Sequence, residues 1–238
     1  MEEEDNENYK VCKLVLVGES GVGKTCITSR FVSDHFSNDN VSTSSASYCS
    51  KTLKIDEFSD KYIKFNIWDT CGQEKFRSLS KVFYKGIKAA ILVYDITNIN
   101  SFNEIKSFWY NQLKENSPKD INKFLFYLIF FIFIVIAIAA NKCDLYQEEK
   151  VKEEEAQEYA QSIGAIFENT SACKNVGILE IFKRIGEKLF SLNIIEKDDE
   201  NKKKNKNEKH IKLDKKNIKK RKKNVKLRFL IIIYLLKK

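Results

Sequence analysis

The residues with the most chemistry to offer sit in four short stretches: GESGVGKT (18–25), WDTCGQE (68–74), NKCD (141–144) and TSAC (170–173). The first fits G-x-x-x-x-G-K-[ST], a loop whose glycines let successive backbone N–H groups wrap a phosphate. Glu19, Ser20, Gly21, Val22, Gly23, Lys24, Thr25 and Cys26 are its contact candidates, with Lys24 reaching the β- and γ-phosphates and the Thr25 hydroxyl ligating Mg²⁺. In the second stretch Asp69 is placed to hold the metal through a water and the Gly72 N–H to meet the γ-phosphate. Gln73 is the catalytic candidate there, because a side-chain amide can orient an attacking water. In the third, beside Asn141 and Lys142, the Asp144 carboxylate can accept two N–H bonds from the guanine edge, which adenine cannot supply. In the fourth, Ser171, Ala172 and Cys173 lie where the Ala172 N–H would meet the guanine carbonyl.

These loops need strands behind them. VCKLVLV (11–17) is an apolar, β-branched run that leads into the first loop. SKTLKIDEF and KYIKFNIWD alternate apolar and polar residues about a Ser-Asp turn, which predicts an antiparallel hairpin ending at the second loop. AAILVYDI (89–96) and VIAIAA (135–140) read as strands buried on both faces, and AIFENTSA as a strand running into the fourth loop. Helices are expected after Lys24, over 101–116 with Ser101 as N-cap, over VKEEEAQEYAQSIG ended by Gly164, and over VGILEIFKRIGEKLF. The alternation predicts an α/β fold of three layers: a six-stranded, mostly parallel sheet with one antiparallel edge strand and helices on both faces. Ligands in such sheets bind beyond the carboxyl ends of the strands, where all four stretches fall.

The charge is unevenly spread. Residues 197–238 hold 18 Lys/Arg against 5 Asp/Glu, leaving 24 against 28 in the rest of the chain. A mildly acidic domain with a basic tail points to an anionic surface as the tail's partner, or to a solvated low-complexity segment. The tail lacks aromatic interleaving over Lys202 to Lys223, which argues against nucleic acid as the partner. The six cysteines show no C-x-x-C spacing and read as reduced thiols, with neither a zinc site nor a disulfide framework. The acidic lead MEEEDNENYK is unlike a signal peptide, so a cytoplasmic chain is expected.

GESGVGKT, WDTCGQE, FYKG, LVYDIT and NKCDL together resemble the Rab family of small GTPases in the Ras superfamily, from about Tyr9 to Phe190. The ASY of TSSASY and YDITN-x-x-SF lean toward its endosomal branch. The resemblance implies that Phe36 stacks on the guanine and that Thr43 is the switch threonine, ligating Mg²⁺ only beside a γ-phosphate. It also implies an effector-binding aromatic patch of Tyr48, Trp68 and Phe83. The function it implies is a monomeric, GTP-binding switch that slowly hydrolyses GTP to GDP and phosphate and regulates vesicle-mediated protein transport. Its partners would be an exchange factor, a GTPase-activating protein and effectors. Its place would be peripheral, through the basic tail, on the cytosolic face of intracellular, endosomal membranes. A membrane-associated, guanine-nucleotide-binding scaffold without significant hydrolysis is the alternative, favoured by the apolar run and the tail.

Four residues depart from the family pattern near the nucleotide: Ser44-Ser45 in place of Ile-Gly after Thr43, Cys71 in place of Ala, and Cys173 in place of Lys. Larger departures lie elsewhere. Phe124 to Ala140 is an uncharged run of 17 residues that ends directly in NKCD. NKCD can reach a base only if VIAIAA lies in the sheet, which leaves too few residues for a helical membrane span. Joining Ile121 to Val135 gives SPKDIVIAIAANKCDL, an ordinary family connection, so 122–134 reads as an apolar insertion resembling translated A/T-rich noncoding sequence. A real hydrophobic loop is the other reading of that segment. The expected organisation is an acidic lead (1–8), a small GTPase domain (9–192) holding this insertion, and a basic, disordered tail (193–238) with the short apolar end FLIIIYLL. Rab proteins end in prenylated cysteines, whereas no cysteine follows Cys173 here, so the tail itself is expected to lie on the membrane or the lipidated end to be missing.

Overall fold

The computed structural model describes residues 9–37, 46–58, 60–70, 84–115, 134–192 and 194. Six strands form one sheet: β1 (Tyr9–Val17), β2 (Ser47–Asp56), β3 (Lys61–Asp69), β4 (Ala89–Asp95), β5 (Val135–Asn141) and β6 (Ile166–Thr170). Their order across the sheet is β2-β3-β1-β4-β5-β6. Only the edge pair β2/β3 is antiparallel, as the alternating hairpin requires; the other pairs are parallel. β4 and β5 are buried at every position, whereas β3 alternates, so its second face is less covered.

Period-two alternation splits the core in two. Cys12, Leu14 and Leu16 of β1 face α1 (Lys24–Ser33) and the long final helix, whose Phe31 and Phe182 rings stack at 3.6 Å between centroids. Val15 and Val17 face the other layer, which holds Phe102, Ile105, Trp109, Ala156 and Ala160. That layer contains α2 (Ile99–Glu104), a π-helical turn Ile105–Trp109, α3 (Tyr110–Glu115) and α4 (Glu153–Ser162); the final helix is α5 (Ile178–Ser191). α4 opens on Glu153, Glu154 and Glu155, acids that its N-terminal dipole favours.

Ser101 is not the N-cap of its helix: Asn98 is, its side chain accepting from the Asn100 N–H at 3.0 Å. Ser101 is fully buried one turn in, donating to the Asn98 carbonyl and accepting from the Asp95 N–H, so its hydroxyl ties the helix to the end of β4. The apolar run divides where the base-binding requirement places the break, with β5 beginning at Val135. Of the expected insertion (122–134) only Ile134 is described; the lead (1–8) and residues 193 and 195–238 of the tail lie outside the described residues. Among the described residues, no helix is long and apolar enough to cross a membrane.

Candidate functional site

The phosphate loop leaves β1 and enters α1 at Gly23, with no side-chain cap at the helix start. Two of its glycines are obligatory on space as well as conformation. A Cβ on Gly18 would stand 2.2 Å from the Val93 carbonyl oxygen, and one on Gly23 (φ 94°) 2.3 Å from Asn141 Nδ2. The loop is thereby pressed against β4 and β5, and no larger residue fits either contact. Lys24 is buried and folds back over the loop, its ammonium donating to the Gly18 and Glu19 carbonyls at 2.9 and 2.8 Å. Glu19, Ser20, Gly21 and Val22 complete the turn, and Cys26 lies in the first turn of α1, its thiol pKa raised by burial and then by the Asp69 charge.

At the end of β3 the Thr25 hydroxyl donates to Asp69 Oδ2 at 2.6 Å. Asp69 is fully buried, and burial raises its carboxyl pKa against the opposing effects of the Thr25 hydrogen bond and the Lys24 charge. Its Oδ1 is buried without a hydrogen-bond partner among the described residues. A buried carboxylate oxygen left unpaired is costly, and an oxygen-only donor pair suits a hard divalent cation. The residues present therefore fit Mg²⁺. Thr70, next in sequence, turns its hydroxyl to the Leu16 carbonyl at 2.7 Å and closes β3 onto β1.

The base end is knit by side chains. Asn141 donates through Nδ2 to the Val22 carbonyl at 2.7 Å and accepts from the Thr170 hydroxyl at 3.2 Å, joining the phosphate loop to the end of β6. Lys142 takes a left-handed conformation (φ 64°) and pairs with Asp95 at 2.6 Å. Asp144 is half-buried and accepts from the Ser171 hydroxyl at 2.5 Å, while Ser171 accepts in turn from the Lys174 N–H. Ala172 is buried and Cys173 exposed, so the Lys-to-Cys departure falls where its side chain meets no packing demand. Phe36 is half-buried with the Arg30 guanidinium 5.9 Å from its ring centroid.

Lys24, Thr25, Asp69, Asn141, Asp144, Ser171 and Ala172 thus cluster beyond the carboxyl ends of the parallel strands. Tyr48 and Trp68 lie apart from them as a cross-strand pair, with centroids 5.3 Å apart and Lys13 over Trp68. Tyr48 is 55% exposed, which makes it surface rather than core. Thr43, Gly72, Gln73 and Phe83 lie outside the described residues, as do Ser44, Ser45 and Cys71. Sequence reasoning missed Arg30, Asp95 and Thr170, all of which act on this end of the sheet through partners far away in the chain.

The comparisons with known proteins agree with this geometry. The model of the Ras family matches residues 13–191. The mouse (Mus musculus) Ras-related protein Rab-31 is 42% identical over 177 residues, covering 74% of this chain and 82% of that protein. The human (Homo sapiens) Rab-31 matches with the same identity and coverage, and the human Ras-related protein Rab-22A is 41% identical over 179 residues, 75% of this chain and 84% of that protein.

Proposed function

This chain belongs to the Ras family as a Rab-type small GTPase that hydrolyses GTP, and on that premise we propose that it is a slow, nucleotide-operated switch in endosomal vesicle transport. The observation that carries the reading is Asn141. Its one amide spans the Val22 carbonyl of the phosphate loop and the Thr170 hydroxyl at the root of the base loop, so phosphate and guanine sites are a side chain apart. That separation suits a single guanine nucleotide lying across both.

In this reading Asp144 accepts the guanine N–H groups, Ala172 donates to the base carbonyl, and Phe36 stacks on the ring. The loop from Glu19 to Cys26 holds the phosphates, with Lys24 exchanging its two carbonyl partners for phosphate oxygens. Thr25, Thr43 and, through water, Asp69 would hold Mg²⁺. Bound there, the cation supplies positive charge against the β- and γ-phosphate oxygens. Gln73 orients water for in-line attack, and the protein contributes position and charge rather than covalent chemistry. Turnover is slow alone, and an activating protein that donates an arginine raises it by about 10³ to 10⁵. Loss of the γ-phosphate frees the Thr43 and Gly72 segments and dismantles an effector surface that includes Tyr48, Trp68 and Phe83.

The domain proper spans 9–192, with 122–134 an insertion ahead of β5, and the basic tail lies peripherally on an anionic membrane surface. The test is single-turnover phosphate release from purified protein loaded with GTP and Mg²⁺, beside the Gln73→Leu variant. Wild type is expected to release phosphate measurably faster. An equal, negligible rate for both would refute hydrolysis as the switch's clock and leave a nucleotide-binding scaffold.

A further inference from the structure

Arg30 lies on α1, outside every motif, yet its side chain is only 15% exposed and all three of its nitrogens are used. Nε donates to the Ala172 carbonyl at 2.9 Å and Nη2 to the Cys173 carbonyl at 3.4 Å. Nη1 donates to the Asp34 carbonyl at 2.8 Å and to Asp34 Oδ1 at 3.0 Å. That carboxylate oxygen also accepts from Asn175 Nδ2 at 3.1 Å, in the same loop as Ala172. The guanidinium carbon lies over the Phe36 ring, 5.9 Å from its centroid. One planar group therefore binds both the loop expected to read the 6-oxo edge of the base and the residue closing α1, above the aromatic expected to stack on the ring.

The loop needs such a brace. Upstream, Ser171 is held by Asp144, and Ser171 and Val176 close the turn by exchanging backbone hydrogen bonds. Between them the peptides of Ala172 and Cys173 receive their carbonyl partners from Arg30. Asn175, in the left-handed region at φ 55°, is anchored by Asp34, which is itself in that region at φ 53° and fixed by Arg30. Removing the guanidinium would release both the carbonyl side of the Ala172 turn and the side chain that steadies Asn175. A lysine has the charge but not the fork, and cannot serve two successive carbonyls and Asp34 together.

We infer that Arg30 is a positioning residue for recognition of the purine 6-oxo group, setting the Ala172 N–H through the carbonyls of Ala172 and Cys173. The inference rests on the proposed role of Ala172, and the experiment separates the two. The full chain, wild type and Arg30→Ala, is titrated with GDP and with 6-thio-GDP, which keeps the edge facing Asp144 but replaces the 6-oxygen with a poor acceptor. Wild type should prefer GDP. Arg30→Ala should weaken GDP by about tenfold, the scale of one net hydrogen bond, and 6-thio-GDP by much less, so that the preference collapses. Equal weakening of both nucleotides would overturn the proposal and leave Arg30 a general structural tie. A wild-type protein with no preference would remove the Ala172 reading and the proposal with it. If the alanine variant does not fold, Arg30→Lys carries the same comparison and should show the same loss of preference.

Discussion

The two ends of the nucleotide site are built on opposite plans. At the base end Asn141, Asp144, Lys142, Ser171 and Thr170 all have hydrogen-bond or ionic partners within the protein, so that end is organised by the chain itself. At the phosphate end Asp69 is fully buried, its pKa is raised by that burial, and one of its oxygens has no partner among the described residues. On the proposed reading the base end is organised before the ligand arrives, while the phosphate end holds a desolvation cost that a bound cation would relieve. For the switch proposed above, such a division would let internally paired side chains read the identity of the ligand and the cation-dependent end read its state.

The largest effect is expected at Asp144. Asp144→Asn should weaken GDP by on the order of 10³ and improve xanthosine diphosphate, whose 2-oxo group matches an amide donor, as titration with the two nucleotides would show. Next is Asn141→Ala, which leaves the buried Val22 carbonyl and Thr170 hydroxyl without that partner. A loss of about 2–4 kcal/mol in denaturant unfolding is expected, with faster GDP release. A smaller effect of opposite sign is expected at the phosphate end. Asp69→Asn should raise the melting temperature of metal-free, nucleotide-free protein by a few degrees (about 2–4 °C per kcal/mol of relieved burial) while abolishing its response to Mg²⁺.

The pH dependence follows from the same residue. A carboxyl whose folded-state pKa is raised stabilises the fold while protonated. Its contribution is fully present below the unfolded value and is lost as pH rises through the folded one. Metal-free protein should thus lose stability above the ordinary carboxylate range, and Asp69→Asn should flatten that slope. The smallest effect is expected at Lys142→Ala, where a partly exposed ion pair with Asp95 contributes up to about 1 kcal/mol, measurable by thermal melts at two salt concentrations.

What the sequence made legible were features with a local cause. β4 and β5 read as buried strands because their residues are apolar up to the closing Asp95 and Asn141 apart from the hydroxyl of Tyr94, and the β2/β3 hairpin read as antiparallel because its alternation surrounds a turn. The long apolar run could be cut at Val135 because NKCD needs a strand immediately before it. The motif residues were legible because their backbone geometry imposes composition, as the contacts at Gly18 and Gly23 show. Arg30 was not, since all that is visible along the chain is an i,i+4 pair with Asp34, while its carbonyl partners lie 142 and 143 residues away. The choice between Ser101 and Asn98 as cap was likewise invisible. Both residue types cap helices, and burial of Ser101 against β4 decides between them.

Calorimetric titration of nucleotide-free full-length protein with GDP and with ADP, in the presence of Mg²⁺, tests the central claim most directly. The expected result is tight GDP binding with ADP weaker by about 10⁴ or more, the scale reached where a buried group must be paired by the correct ligand. Equal affinity for the two nucleotides would contradict it.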